Sequence, residues 1–162
     1  MADELGSAKR SKIGAVFTVP LASDGAYAVG LIRYDDQDGI CLAYFLDQRF
    51  PEIPLFRGVR DASFADGIAY RQWCQWVGRR WKRLGKIDAQ KAIPSPHTRF
   101  AAPIRYEGTL RYDVVTRRGG LNFDRSGWLA EPPEDWETMP RWGASFEEQH
   151  ETILDKDIGR GR

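Results

Sequence analysis

Across residues 12–45 the apolar positions come in short runs separated by turn residues. Residues 15–21, AVFTVPL, are rich in Val, Phe and Thr and predict a first strand. Pro20 has no backbone donor, which puts the end of that strand where pairing stops. Ser23-Asp24-Gly25 is turn chemistry, with Gly25 supplying a positive φ. Residues 26–34 predict a second strand, and Gly30 within it marks a bulge or a sharp coil of the sheet. A second turn over 35–39 ends in Asp38-Gly39. Ile40–Phe45 is apolar throughout, which predicts a strand buried on both faces and lying inside its sheet or covered.

Beyond residue 45 the pattern is less regular. Residues 47–56 carry Pro51 and Pro54 and read as a loop, 55–59 as a short strand, and 61–66 as a polar turn. In 68–84, Trp73, Trp76, Val77, Trp81 and Leu84 fall at helical spacing. Arg79, Lys82, Arg83 and Lys86 would then lie off the apolar stripe, with Gly85 as the C-cap. Gly78 and the abundance of Trp, Tyr and Ile argue instead for strands. The spacing tips the expectation to a helix. Residues 93–97 form a Pro-rich extended connector, and 98–116 return to β character. Strands are expected at 105–110 and 111–115 with Glu107-Gly108 at a bend, a turn at 117–120, and renewed pairing at 121–123. Residues 127–143 hold three prolines and Trp128, Trp136 and Trp142, and predict an irregular strap over the core with its rings inserted. Ser145-Phe146-Glu147-Glu148 has the form of a capping box, opening an amphipathic helix over 146–157 that stops near Gly159. These elements predict a single β-rich α+β domain over 13–158. Its form is a twisted antiparallel meander or a small, partly open barrel with one or two helices. Residues 1–12 are expected to be a flexible arm and 159–162 a frayed tail.

Composition changes this picture in two ways. The chain has 162 residues, 42% apolar and 29% charged, with six Trp and eight Phe, so a packed core is affordable and some rings are expected at the surface. No apolar run approaches the ~20 residues needed to cross a bilayer. Residues 1–12 are polar and lack the apolar middle of a secretory signal, so a cytoplasmic protein is expected. Cys41 and Cys74 sit among apolar residues and read as buried free thiols. The second change is charge segregation. The net charge is +1, yet residues 57–118 carry fourteen basic and five acidic side chains, while 128–162 carry four basic and nine acidic ones. Either the acidic end packs back on the basic middle, or one of them forms a binding face.

Candidate chemistry is sparse. His97 and His150 are far apart and neither falls at a metal-ligand spacing. Cys74 has no base or orienting group near it in sequence. No catalytic set, cofactor or metal is therefore expected. The basic stretches Gly78–Arg83 and Thr116–Gly120 have aromatic neighbours and could grip phosphates and stack bases, so a nucleic-acid-binding β-module is one reading.

The first third of the chain resembles the immunity protein 26 family of bacterial toxin–immunity systems. The features that carry the likeness are Gly14, Val16, Phe17, the step Val19-Pro20-Leu21, the turn Asp24-Gly25, Tyr27, Gly30 and the third-strand Ala43-Tyr44-Phe45. A looser echo follows at Trp73, Trp76 and Gly78. The resemblance implies a non-enzymatic inhibitor that binds a cognate protein toxin. The toxin would meet either a basic face, Arg79, Arg80 and Arg83, or an acidic one, Glu131, Glu134, Asp135 and Glu137. Nuclease toxins offer basic clefts and would favour the acidic face.

Overall fold

In the computed structural model, residues 12–35, 40–73, 75–119, 122–142 and 147–159 are described. The expectations for the arm before Lys12, the turn at 36–39, Cys74, the start of the capping box at 145–146, the side chain of His150 and the tail after Gly159 lie outside the described residues.

The three predicted strands form at Ala15–Pro20 (β1), Tyr27–Asp35 (β2) and Ile40–Phe45 (β3). Joined by β4 (Ile68–Trp73) and β5 (Arg83–Lys86), they make a five-stranded antiparallel sheet of order β4-β3-β2-β1-β5. β3 thus has a neighbour on each side, as its continuous apolar run requires. A second antiparallel sheet holds β6 (Arg99–Tyr106), β7 (Thr109–Gly119) and β8 (Asn122–Arg125) in sequential order. The sheets do not close into a barrel. Between β6 and β7, Glu107 and Gly108 both take positive φ, 49° and 78°, so the expected bend is a tight hairpin and the strands break there, not between Leu110 and Arg111.

Both faces of the five-stranded sheet are buried. On one face Ala15, Phe17, Val19, Ala28, Ala43, Phe45 and Tyr70 pack with Trp81, Leu154 and Ile158. The last two belong to the C-terminal helix α3 (Glu147–Asp157) and the turn after it. On the other face Val16, Val29, Leu31, Leu42 and Tyr44 pack with Phe100, Ala102 and Val115 of the second sheet, and with Val59, Phe64, Ala89 and Ile93. Val59 and Ala89 come from two one-turn helices, α1 (Phe56–Val59) and α2 (Ala89–Ala92). The outer face of the second sheet carries a smaller cluster in which Ala101 and Val114 meet Trp136 and Met139 of the strap. The order through the molecule is helix, sheet, sheet, strap.

Residues 68–84 are not a helix. β4 pairs along its whole length with β3, from Ile40↔Trp73 to Phe45↔Ile68. Without β4, β3 would be an edge strand with an unpaired backbone, and that pairing outweighs local spacing. The chain then closes a tight loop in which Trp81 N–H donates to the Trp76 carbonyl (2.9 Å) and Gly78 N–H to the Trp81 carbonyl (2.8 Å). Gly78 holds φ at +87° there. Trp81 instead stacks on Phe17 at 6.1 Å and meets Trp76 edge-on at 5.5 Å. Gly85 is no C-cap. It sits in β5, where a Cβ would come 2.7 Å from the Phe56 ring. The stretch 55–59 is helical rather than extended, and its turn brings Val59 into the core. Arg117 and Arg118 lie in β7, which runs on past the expected turn.

α3 is fastened near its middle and at its C-terminal end. Trp81 Nε1–H donates to Glu151 Oε1 (3.1 Å), and Arg80 pairs with the same carboxylate (3.3 Å). At the C-terminal end Arg49 binds Asp155 Oδ1 (2.5 Å) and the carbonyls of Asp155 and Ile158, while its second partner, Asp24, belongs to the β1–β2 turn. Hydrogen bonds to Asp24 and Asp155 hold the Arg49 guanidinium further above its ordinary range.

The register irregularity in β2 falls between Ile32 and Tyr34, not at Gly30. Gly30 has a packing role: a Cβ there would meet the Phe45 ring at 2.7 Å and Phe17 at 3.0 Å. Gly30→Val is therefore expected to destabilise the protein by about 1–3 kcal/mol through overpacking. A urea-unfolding midpoint unchanged from wild type would show that the two rings yield freely.

Candidate partner-binding surface

The acidic candidates lie on the strap. It starts against β7, where Tyr112 and Leu129 exchange both backbone hydrogen bonds at 2.9 Å. It ends at Pro140–Trp142, a one-residue strand wedged between the two sheets. Ala101 N–H of β6 donates to the Pro140 carbonyl (2.9 Å) and Trp142 N–H donates back to Ala101 (2.8 Å). On the opposite side Arg71 N–H of β4 donates to the Arg141 carbonyl (3.2 Å). Between these ends Trp136 and Met139 are buried, and Trp136 meets Tyr112 edge-on at 5.0 Å. Trp142 packs between Phe100 and Phe123, with the Arg71 guanidinium 3.5 Å from its ring centre.

Two of the three strap tryptophans are inserted as expected; Trp128 is not. It is 54% exposed and packs against Tyr106, equally exposed, at 5.0 Å between ring centres. Leu129 is also exposed. Glu131, Glu134 and Glu137 project to solvent along the same segment. Asp135 differs from them, because it forms an ion pair with Arg99 of β6. Its role is to hold the strap, through one exposed pair of modest strength.

The basic candidates lie elsewhere. Arg79 and Arg80 belong to the loop after β4, and Arg83 begins β5 on the far edge of the five-stranded sheet. They line the helix-covered side, whereas the strap covers the outside of the second sheet, so the structure keeps the two groups apart. Arg80 is committed to Glu151; Arg79 and Arg83 are exposed. Of the second basic stretch, Arg117 lies over the Tyr34 ring at 3.7 Å and Arg118 pairs with Asp124. The acidic end of the chain thus packs back on the basic middle through Arg80–Glu151 and Arg99–Asp135. Exposed carboxylates remain on the strap, and exposed cations remain at the β5 edge.

A cleft of about 280 Å³ opens beside the outer edge of β4, between the strap and the end of α3. His97 lines it. Tyr44, a buried β3 residue, puts its hydroxyl 2.5 Å from His97 Nδ1 and accepts a hydrogen bond from the His97 backbone N–H (2.9 Å). The hydroxyl can donate its own proton to Nδ1, and in that arrangement the neutral imidazole carries its proton on Nε2. Burial raises the Tyr44 pKa, partly offset by the His97 backbone hydrogen bond and by Arg33, and burial lowers that of His97. His97 lies at the end of the Pro-rich connector, and nothing in the sequence points to its buried phenol partner fifty-three positions away. Cys41 is a buried free thiol, as expected. Among the described residues no group of three or more His, Cys, Asp or Glu is placed to hold a metal, and no helix is long and apolar enough to cross a membrane.

The chain matches no protein-family model, no curated protein and no solved structure.

The lowered His97 pKa has a definite sign. Unfolded His97 takes up its proton near pH 6.5 and the folded form does so only below that, so its contribution to stability is complete above about 6.5 and declines as pH falls towards the folded value. An NMR titration is expected to place His97 below 6.5. Tyr44→Phe should move it upward, because the phenol no longer favours the unprotonated Nδ1. A titration at or above 6.5 in the wild-type protein would rule out this tautomer and its burial.

Proposed function

We propose that this protein is a non-enzymatic immunity protein that acts in the cytoplasm by covering the working surface of a cognate protein toxin, and that the toxin meets the strap. One observation carries the reading: the exposed Tyr106–Trp128 pair, with Leu129 beside it, next to the solvent-facing Glu131 and Glu134 on a segment whose far end is fixed in the core. Aromatic side chains held rigidly at a surface anchor protein interfaces at small entropic cost. Carboxylates around them steer a partner with a basic cleft, such as a nuclease toxin, and discourage acidic partners. Occlusion needs a firm scaffold and no catalytic residue. The likeness of the first third of the chain to immunity proteins agrees with this reading, with β1–β3 as scaffold and the later segments as the recognition surface.

The test is binding to the toxin domain encoded beside this protein's gene. Trp128→Ala is expected to weaken the complex about 30-fold or more, as loss of a central anchor does. A Glu131→Lys/Glu134→Lys double variant should slow association, most of all at low salt. Arg79→Glu/Arg83→Glu should leave affinity unchanged. The strap reading fails if only the last variant weakens the complex. It also fails if the protein instead binds oligonucleotides with a steep salt dependence that Arg79→Glu/Arg83→Glu removes, the signature of phosphate contacts.

A further inference from the structure

Three charged side chains line the cleft beside β4: Asp157, whose carboxylate accepts from the Tyr70 hydroxyl, and the oppositely charged Glu137 and Arg141. Glu137 and Arg141 both line it, four residues apart on the strap, and both are exposed. Neither forms an ion pair with any described residue, nor do they pair with each other. The Arg141 side chain is also not needed for the fold. Its main chain makes the link between the sheets, through its own carbonyl, that of Pro140 and the N–H of Trp142. The guanidinium is left over from that role.

Two further features give the cleft chemical direction. Tyr44 occupies His97 Nδ1, and with the Tyr44 hydroxyl as donor there, Nε2–H is a neutral donor for which no partner is found among the described residues. Trp136 and Met139 supply an apolar wall, 9% and 8% exposed. A volume of about 280 Å³ lies at the small end of ligand pockets, which run from roughly 300 to 1,000 Å³. That is room for a metabolite of amino-acid size. A carboxylate suits the planar fork of Arg141 with a second donor at His97. An ammonium suits Glu137. A ligand with only one of these groups leaves one cleft charge unmet, whereas one with both meets each.

We propose that this cleft binds a free α-amino acid with an apolar side chain. Its carboxylate lies on Arg141 and His97, its ammonium on Glu137, and its side chain against Trp136 and Met139. The site is separate from the Tyr106–Trp128 surface and does not depend on toxin binding.

Calorimetric titration of the full chain with L-leucine and L-phenylalanine tests it. The controls are 3-methylbutylamine and 4-methylpentanoate, leucine analogues that each lack one charged group. Saturable binding of at least one amino acid is expected, with both single-charge analogues at least ~10-fold weaker. Arg141→Gln and Glu137→Gln should each weaken amino-acid binding by a similar factor while leaving the urea-unfolding midpoint in place. Three results would overturn the proposal: no saturable binding of either amino acid, an analogue that binds as tightly as leucine, or binding unaffected by both substitutions. Arg141→Gln is expected to bind the toxin at wild-type affinity, and a weakened complex would overturn the separation of the two sites.

Discussion

The fold depends on covering a sheet that is apolar on both sides. In β1 and β3 nearly every residue is buried, not every second one. Each large apolar side chain buried there contributes about 1.5–3 kcal/mol, so neither face can be left in water. One cover is α3 with the Trp76–Trp81 loop, and the other is the second sheet with two short helical turns. Both come from chain far from the strands they protect. Their docking is therefore secured by polar contacts, with Arg49 at the C-terminal end of α3 and Glu151 near its middle.

This division explains what the sequence revealed. The first three strands, their turn at Asp24-Gly25, the hairpin at Glu107-Gly108 and the C-terminal helix are encoded by nearby residues, and their pattern predicts them. Residues 68–84 read as a helix because their tryptophans are spaced like one, but the unpaired edge of β3 decides the outcome and no local window contains it. Phe56 and Gly85 are a similar case: a helical turn and a strand are shaped by each other across almost thirty positions. For the surface, the runs of charge were visible and the pairings were not. Arg80 looked like its neighbour Arg79 until Glu151 was found beside it, and Asp135 looked like Glu134 until Arg99 was. Trp128 was indistinguishable from Trp136, since both lie among prolines, yet only Trp136 finds a gap between β-strand side chains to fill.

The charge segregation along the chain is thus largely an internal matter. Fourteen basic side chains in the middle of the sequence do not make a continuous basic surface. Some are matched by carboxylates from the acidic end, and Arg71 and Arg117 lie over aromatic rings. What remains outside is sorted by place: carboxylates on the strap, cations at the β5 edge. Such a dipolar surface orients an incoming charged partner before contact, even though the net charge of +1 would not attract or repel it from afar.

The main chain at Pro140–Trp142 has a consequence for how this molecule can change over time. Three residues occupy the open edges of both sheets at once, β4 on one side and β6 on the other. That interrupts two edges that would otherwise offer longer runs of backbone to strands of neighbouring molecules. It also leaves the strap fixed at both ends, with an outer span in which Glu131 and Glu134 are exposed and Asp135 alone of the acidic candidates is tied to a strand. Substitutions in that span can accumulate without touching strand pairing. Under the proposed immunity role, a lineage could exchange recognition residues there one by one while the scaffold beneath stays still.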